Sequence, residues 1–575
     1  MNIRMKTTYK ALLPALVLLP VAATAQEQLT KEIDVEREIV PELRAASRME
    51  VFPATVRPTM KTVRLTPGEL TSPADYQPLS LRYEPASAGA AAPLTPYRGY
   101  VDAGYFPVGD FGVAAGFAAV ARENTTLNIW ANLNRRQYDD KRGNSPDNTN
   151  SPFDYKVFDV AAGVDFAHRF SPKGKLGIST DFSYSSFNKA LIHWIDYFTY
   201  EDPAQDVLRW NLDADWQGAA DNGLVYSIGA YCGIFNFSKA LPETMGIDDL
   251  WFLSDNDSPQ RQTTFGARVG ARLPINASSD FGMDIHTDWQ RLKVVWNIHE
   301  YFNYGEQWMV DWSIAPKTFS VNSFTPYYNF RNEKFDIHAG VRLDLMTGNS
   351  TDFRLAPDVK LAYNPAAQFG IWLKATGGGK LNYLESIYAL SRYMLPSVTV
   401  RSTSDLKLDS EFGLRVGPFK GIALQGGVAY ANAHDWLVPV HDRIFESNNL
   451  HAFKVFVGLT AAWRDYVSLT ARYDRRLGDG PDNFWYAWRD DTRSAVSASL
   501  TIRPFSPLEI TAGYTGRFER YHGDISTLSA GATYRITAPL SVFARFDNIL
   551  NRTQYDVVGF QTPGFNGLFG VEYKF

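Results

Sequence analysis

Cysteine is almost absent: Cys232 stands alone in 575 residues, so no intramolecular disulfide framework holds this chain. Long apolar runs are missing too. A helical membrane protein needs segments of about 18 or more apolar residues, and none follows the N-terminal leader. Charge is nearly balanced, at a net −5, and no basic block of the kind that binds nucleic acid stands out. Catalytic signatures are lacking as well. There is no G-x-S-x-G elbow, no H-E-x-x-H pair, no phosphate-binding glycine loop and no C-x-x-C. These absences argue against a helical membrane protein, a disulfide-stapled secreted domain, a nucleic-acid binder and the common enzyme classes. The expectation is a non-enzyme without a cofactor.

The leader places the chain in the cell envelope. Arg4, Lys6 and Lys10 form a basic start, Ala11–Val21 is apolar, and Ala23-Thr24-Ala25 supplies the small residues a signal peptidase needs. That order is a secretory signal peptide over 1–25, and its apolar run is too short to span a bilayer as a helix. No cysteine follows the cleavage site, so a lipid-anchored lipoprotein is not expected. The mature chain then begins at Gln26.

What the chain has in abundance is aromatics, 14 % of its residues, distributed with period two. In Asp405–Val416, Leu406, Leu408, Phe412, Leu414 and Val416 share one face, and Asp405, Lys407, Asp409, Glu411 and Arg415 the other. In Leu508–Phe518, Leu508, Ile510, Ala512, Tyr514 and Phe518 oppose Glu509, Thr511, Thr515 and Arg517. Alternation sustained over about ten residues matches a transmembrane β-strand. A membrane barrel keeps its mean hydropathy modest because only every second residue meets lipid.

Connections alternate between short and long. Ser171–Gly174, Asn276–Ser279, Asn332-Glu333 and Thr537–Pro539 are short; Leu191–Gln205, Val295–Lys317, Leu381–Ser404 and Asp435–Leu450 are long. Barrels of the outer membrane place short turns in the periplasm and long loops outside. Counting back from a last strand that descends to the periplasm gives about 22 strands over 97–575. The expected fold is all-β, a transmembrane antiparallel up-and-down barrel with both its N-terminal segment and its C-terminus periplasmic.

The final strand carries the most specific pattern. Phe569, Val571, Tyr573 and Phe575 lie on one face, and Glu572 and Lys574 on the other. This is the form of a recognition signal for the outer-membrane assembly machinery, and the same face would meet lipid and lipopolysaccharide. The stretch Leu540–Asn551, with Asp547-Asn548-Ile549-Leu550-Asn551 at its end, is followed by Tyr555, Gly559, Pro563-Gly564 and Gly570–Phe575. Together these residues resemble the C-terminal hairpin of TonB-dependent receptors. The resemblance implies a receptor-like barrel whose lumen needs filling. Such receptors carry a plug domain, whereas only Gln26–Pro96 precedes this barrel. That segment is rich in Pro and charge, has no glycine-rich core, and matches a TonB box only weakly at Glu38-Ile39-Val40. It is expected to be extended, periplasmic or partly inside the lumen, and energisation by TonB stays open. Candidate fillers are this segment, infolded loops or another polypeptide.

Candidate chemical sites are few. His434, His441 and His451 cluster beside Asp435 and Asp442, and imidazole with carboxylate suits transition metals, but the spacing fits no defined metal motif. Asp255-Asn256-Asp257 resembles the start of a calcium loop without its Gly and closing Glu. Phe484, Trp485, Tyr486 and Trp488 are candidate ligand or partner contacts, since aromatics stack on sugars and anchor interfaces. Asp405, Lys407, Asp409, Glu509, Arg517, Arg545 and Asp547 would line the lumen. Two functions compete: uptake of a bulky solute, alone or with a surface lipoprotein, and a non-transporting barrel subunit of a multi-protein envelope complex.

Overall fold

The computed structural model describes residues 97–575 apart from 108, 141–152, 172, 189–203, 239–243, 248–249, 254–260, 294–316, 349–350, 391, 393–394, 397–402, 442–443, 478–491, 520–523 and 558–559. The signal peptide and the segment 26–96 therefore lie outside the described residues. Twenty-two long strands build the wall. The first eleven are β1 (Gly99–Phe106), β2 (Asp110–Arg122), β3 (Thr125–Asp140), β4 (Phe153–Ser171), β5 (Gly174–Asn188), β6 (Ala204–Ala219), β7 (Val225–Phe237), β8 (Arg261–Asn276), β9 (Ser279–Lys293), β10 (Lys317–Arg331) and β11 (Phe335–Thr347). The second eleven are β12 (Thr351–Ala366), β13 (Phe369–Leu381), β14 (Thr403–Phe419), β15 (Ile422–His441), β16 (Ile444–Trp463), β17 (Val467–Leu477), β18 (Ser494–Phe505), β19 (Leu508–Phe518), β20 (Ile525–Arg535), β21 (Leu540–Asp547) and β22 (Asn566–Lys574).

Each strand pairs antiparallel with its neighbours in the chain, and β22 returns to β1 with Tyr100 opposite Lys574 and Tyr105 opposite Phe569. The ring is closed, which leaves no edge strand to be capped. At the seam Arg98 N donates to the Phe575 carbonyl at 2.6 Å, and Phe575 N donates to that of Gly99 at 2.9 Å. Rings reinforce it: Phe117 stacks on Phe575 at 6.2 Å, and Phe106 on Phe569 at 6.2 Å. The expected outward face of the last strand is confirmed, because Phe569, Val571, Tyr573 and Phe575 are each about half exposed.

The alternation read from the sequence appears as a two-faced wall. Phe353, Leu355, Phe412, Leu414 and Val416 stand outward and exposed, while Asp409 and Glu411 between and beside them are buried inward. One position departs from expectation. A bulge between Leu406 and Leu408 shifts the register against β15, and Lys407 is exposed rather than set beside Asp405 and Asp409. A bulge adds a residue to one strand and resets the alternation locally.

The two rims differ. One carries tight turns such as 123–124, 277–278 and 332–334. Side-chain caps shape several: Asn276 Oδ1 accepts from Ser278 N at 2.8 Å, and Asn332 Oδ1 from Lys334 N at 2.9 Å. This is the Asx turn that makes Asn frequent in such positions. The opposite, loop rim carries most of the long connections, but 107–109 and 348–350 are short there. The expected loop Asp435–Leu450 is a further departure: β15 and β16 stay paired past Ala433, with Trp436 opposite Asn448 and His441 opposite Ile444. A register shift between Ala433 and Trp436 marks the point where alternation breaks, and Asp435 adopts a left-handed φ of 50°. That break is what made the stretch read as a loop.

Candidate functional site

The lumen is the site the fold offers. Its inward side chains form a chain of paired charges, as buried ions must. Lys374 Nζ lies 3.0 Å from Asp409 Oδ2, both nearly buried, and Trp372 Nε1 donates to Glu411 Oε1 at 2.8 Å. Arg354 meets Asp405 at 2.9 Å, and Arg503 meets Glu509 at 2.7 Å. His338 bridges Asn329 through Nδ1 at 2.8 Å and Asp358 through Nε2 at 3.0 Å. Arg545 lies over the Phe543 ring at 4.1 Å and faces Asp102 at 3.8 Å. The expected lumen residues Asp405, Asp409, Glu509 and Arg545 thus enter pairs between near-neighbour strands.

Near the loop rim the inner wall changes character. On β5 the inward series runs Ser179, Asp181, Ser183, Ser185 and then Phe187; on β7 it ends in Phe235 and Phe237; on β10 it opens with Phe319 and Val321. These rings and chains are almost fully buried, although they point into the lumen. What covers them is the start of the connection 382–402. Leaving β13, it carries a short helix, Leu384–Leu390, along the inside of the mouth. Tyr383 packs on the cluster of Phe319, Val321, Met346 and Leu381. Tyr388 sits among Phe235 at 5.5 Å, Phe187 at 6.1 Å and Phe237 at 6.5 Å. A helix of this length does not hold its shape alone, so its order derives from that bed.

Polar contacts register the segment strand by strand. Gln290 Nε2 on β9 donates to the Asn382 carbonyl at 3.2 Å, and Leu384 N donates to Gln262 Oε1 on β8. Arg209 on β6 pairs with Glu385 at 2.9 Å and with Asp181 on β5 at 3.2 Å. Arg392 reaches β4, where its guanidinium meets both Asp159 oxygens at 3.1 and 3.2 Å, and it lies over the Phe187 ring at 5.7 Å. Just beyond, Leu395 and Pro396 pair in parallel with Ile444 and Phe445 at the tip of the β15–β16 hairpin.

Burial pushes the Glu385 carboxyl above its ordinary range, and Asp181 adds to this; the ion pair with Arg209 opposes it without prevailing. Burial likewise raises the Tyr388 and Tyr383 hydroxyls. At the root of the segment Gly378 takes a φ of +126°. A Cβ there would stand 2.5 Å from Asp344 Oδ2, the oxygen that accepts from Gly379 N at 2.6 Å. Only glycine lets the strand end this close to the buried carboxylate.

The residues singled out from the sequence fare unevenly. His434 and His441 lie on one extended strand, so at about 3.3 Å per residue they stand roughly 20 Å apart. His451 faces Asn432 across the hairpin. The three are not brought together, and among the described residues no group of three His, Cys, Asp or Glu could hold a metal. Phe484, Trp485, Tyr486 and Trp488 lie outside the described residues, as does Asp255-Asn256-Asp257. Arg209, Glu385, Tyr388 and Arg392 were not singled out. The legible trace was the inward series of β5, β7 and β10, where polar residues give way to Phe and Val while the alternation continues.

No protein-family model matches this chain, and no curated protein matches it. Solved structures are similar in fold. They include a point mutant of the ferric enterobactin receptor PfeA from Pseudomonas aeruginosa, with a TM-score of 0.63 and 12 % identity over 83 % of this chain and 80 % of that one. The FrpB iron transporter from Neisseria meningitidis gives 0.63 and 13 % identity over 84 % and 82 %. The siderophore receptor PirA from Acinetobacter baumannii gives 0.62 and 11 % over 83 % and 80 %. The receptor-like barrel expected from the C-terminal hairpin is thereby borne out as a fold.

Proposed function

We propose that this chain is an outer-membrane passage for a bulky polar solute, with the loop rim facing outside and both chain ends in the periplasm. One observation carries the reading: a closed barrel of twenty-two strands whose interior is lined by paired charges of both signs. A barrel of that strand number encloses more space than its own wall side chains fill, and a charged, hydrated lining favours a polar cargo over an apolar one. The names of the similar structures point the same way, toward receptors and transporters of iron complexes, but at such low identity they lend a fold and not a substrate. Deleting the gene and screening growth on single nutrients tests the reading. Loss of growth on one nutrient class, restored by the intact chain, supports it; unchanged growth on all of them rejects it.

A second reading draws on the segment seated in the mouth. A barrel with a segment folded into its loop rim also suits a subunit of a larger envelope complex. Affinity purification in mild detergent separates the two, because that reading requires partners in stoichiometric amount and no nutrient phenotype.

A further inference from the structure

We propose that residues 382–390 together with Arg392 form a built-in strap that gates the lumen at the loop rim, its closed seat being an apolar bed on the inner ends of β5, β7 and β10. The inference stands whether the barrel carries a solute or serves as a subunit, since it concerns only what closes the mouth.

The bed is the first argument. Lumen-facing positions of a membrane barrel are ordinarily polar, and Phe187, Phe235, Phe237, Phe319 and Val321 break that rule together, at one end of one arc. Exposed to lumen water they would be unfavourable in proportion to their apolar area. Covered by Tyr383 and Tyr388 they are dry: Val321 is 1 % and Phe187 2 % exposed.

The fastenings are the second. Glu385 with Arg209, and Arg392 with Asp159, sit at two points along the strap, and all four side chains keep about a third of their surface open. Ion pairs so placed are weak individually and can exchange with water, whereas a fully buried pair would resist separation. The strap is thus held by a bed that favours closure, while its ion pairs register it on the wall and yield readily.

The pairing of Leu395 and Pro396 with the β15–β16 tip is the third. It ties the far end of the strap to a hairpin from the other side of the mouth, so the closed strap lies between two parts of the wall.

The test places a reporter cysteine deep in the lumen beneath the strap. Ser179→Cys on β5 serves, in full-length protein carrying Cys232→Ala, with a bulky maleimide that does not cross membranes. The reagent is applied in intact cells or in outer-membrane vesicles, on the face from which Glu519→Cys at the loop rim reacts. With the strap closed, labelling of the reporter is slow. Tyr388→Ser combined with Arg392→Ser should raise its rate by about tenfold or more, the change expected when a local opening equilibrium shifts. Arg392→Lys, which keeps a cation against Asp159, should hold the rate near its starting value. Folding is checked independently by the migration of the unboiled barrel on gels. Equal reporter rates in the parent and the loosened protein, both folded, would overturn the proposal.

Discussion

Two arcs of the inner wall follow the same alternation and end differently. On β17 the inward series closes with Arg472, Asp474 and Arg476, with Arg472 and Asp474 paired at 2.9 Å, and on β19 it closes with Thr515 and Arg517. On β5, β7 and β10 it closes with Phe187, with Phe235 and Phe237, and with Val321 and Phe319. Strand period and pairing are the same in both arcs. Period two says only which side chains share a face; the composition of that face says what stands against it. The first arc ends in charges suited to water, and the second in a bed that requires protein.

The comparison can be broken most severely by removing the closure both arcs depend on. Truncation of residues 566–575 leaves β1 and β21 without a common partner and opens two edges. It should abolish the compact unboiled species on gels and the outer-membrane pool of protein; a truncated chain that still migrates as a folded barrel would contradict the seam described above. A smaller effect is expected at the root of the strap. Gly378→Ala forces a side chain into a left-handed backbone position against Asp344, which should cost about 1–3 kcal/mol, read as a lower urea midpoint in detergent.

A sharper probe separates the arcs by pH. Glu385 titrates above the ordinary glutamate range when the strap is seated, so the seated form binds its proton more tightly than the released form does. Its contribution to seating is therefore complete at acid pH and is lost as pH rises through that elevated value. The charged and titratable groups facing it are Arg209, Asp181 and Tyr383. Amide exchange across 384–390, corrected for intrinsic rates, should show stronger protection near about pH 5 than near about pH 8, a range spanning the ordinary carboxylate and its raised form. Glu385→Gln should flatten that difference, and the β17–β19 arc should show none. Least of all is expected at the turn rim, where Lys173 pairs with the almost fully exposed Asp221. Asp221→Ala should leave the unfolding midpoint unchanged, because exposed pairs contribute little.

Much of the barrel was legible because its determinants are local. The alternation in Leu508–Phe518, the Asn residues of the tight turns and the outward ring of Phe569, Val571, Tyr573 and Phe575 each concern a few consecutive residues. The same locality explains the errors. Lys407 was assigned by parity, and a bulge beside it breaks parity. Asp435–Leu450 lost its alternation at two register shifts and passed for a loop although its strands remain paired. The histidines looked clustered because they are near in sequence, but an extended strand spends that nearness on distance.

By itself, then, the sequence determined a closed antiparallel wall, its two faces and its seam at Phe575, since hydrogen-bonded neighbours in an up-and-down barrel are neighbours in the chain. Only the tertiary structure decided what occupies the mouth. Arg392 meets Asp159, and Leu384 meets Gln262, across separations of 233 and 122 residues. Contacts of that span leave no periodic trace at either partner, and the one sign of them is a face that turns apolar where water was expected.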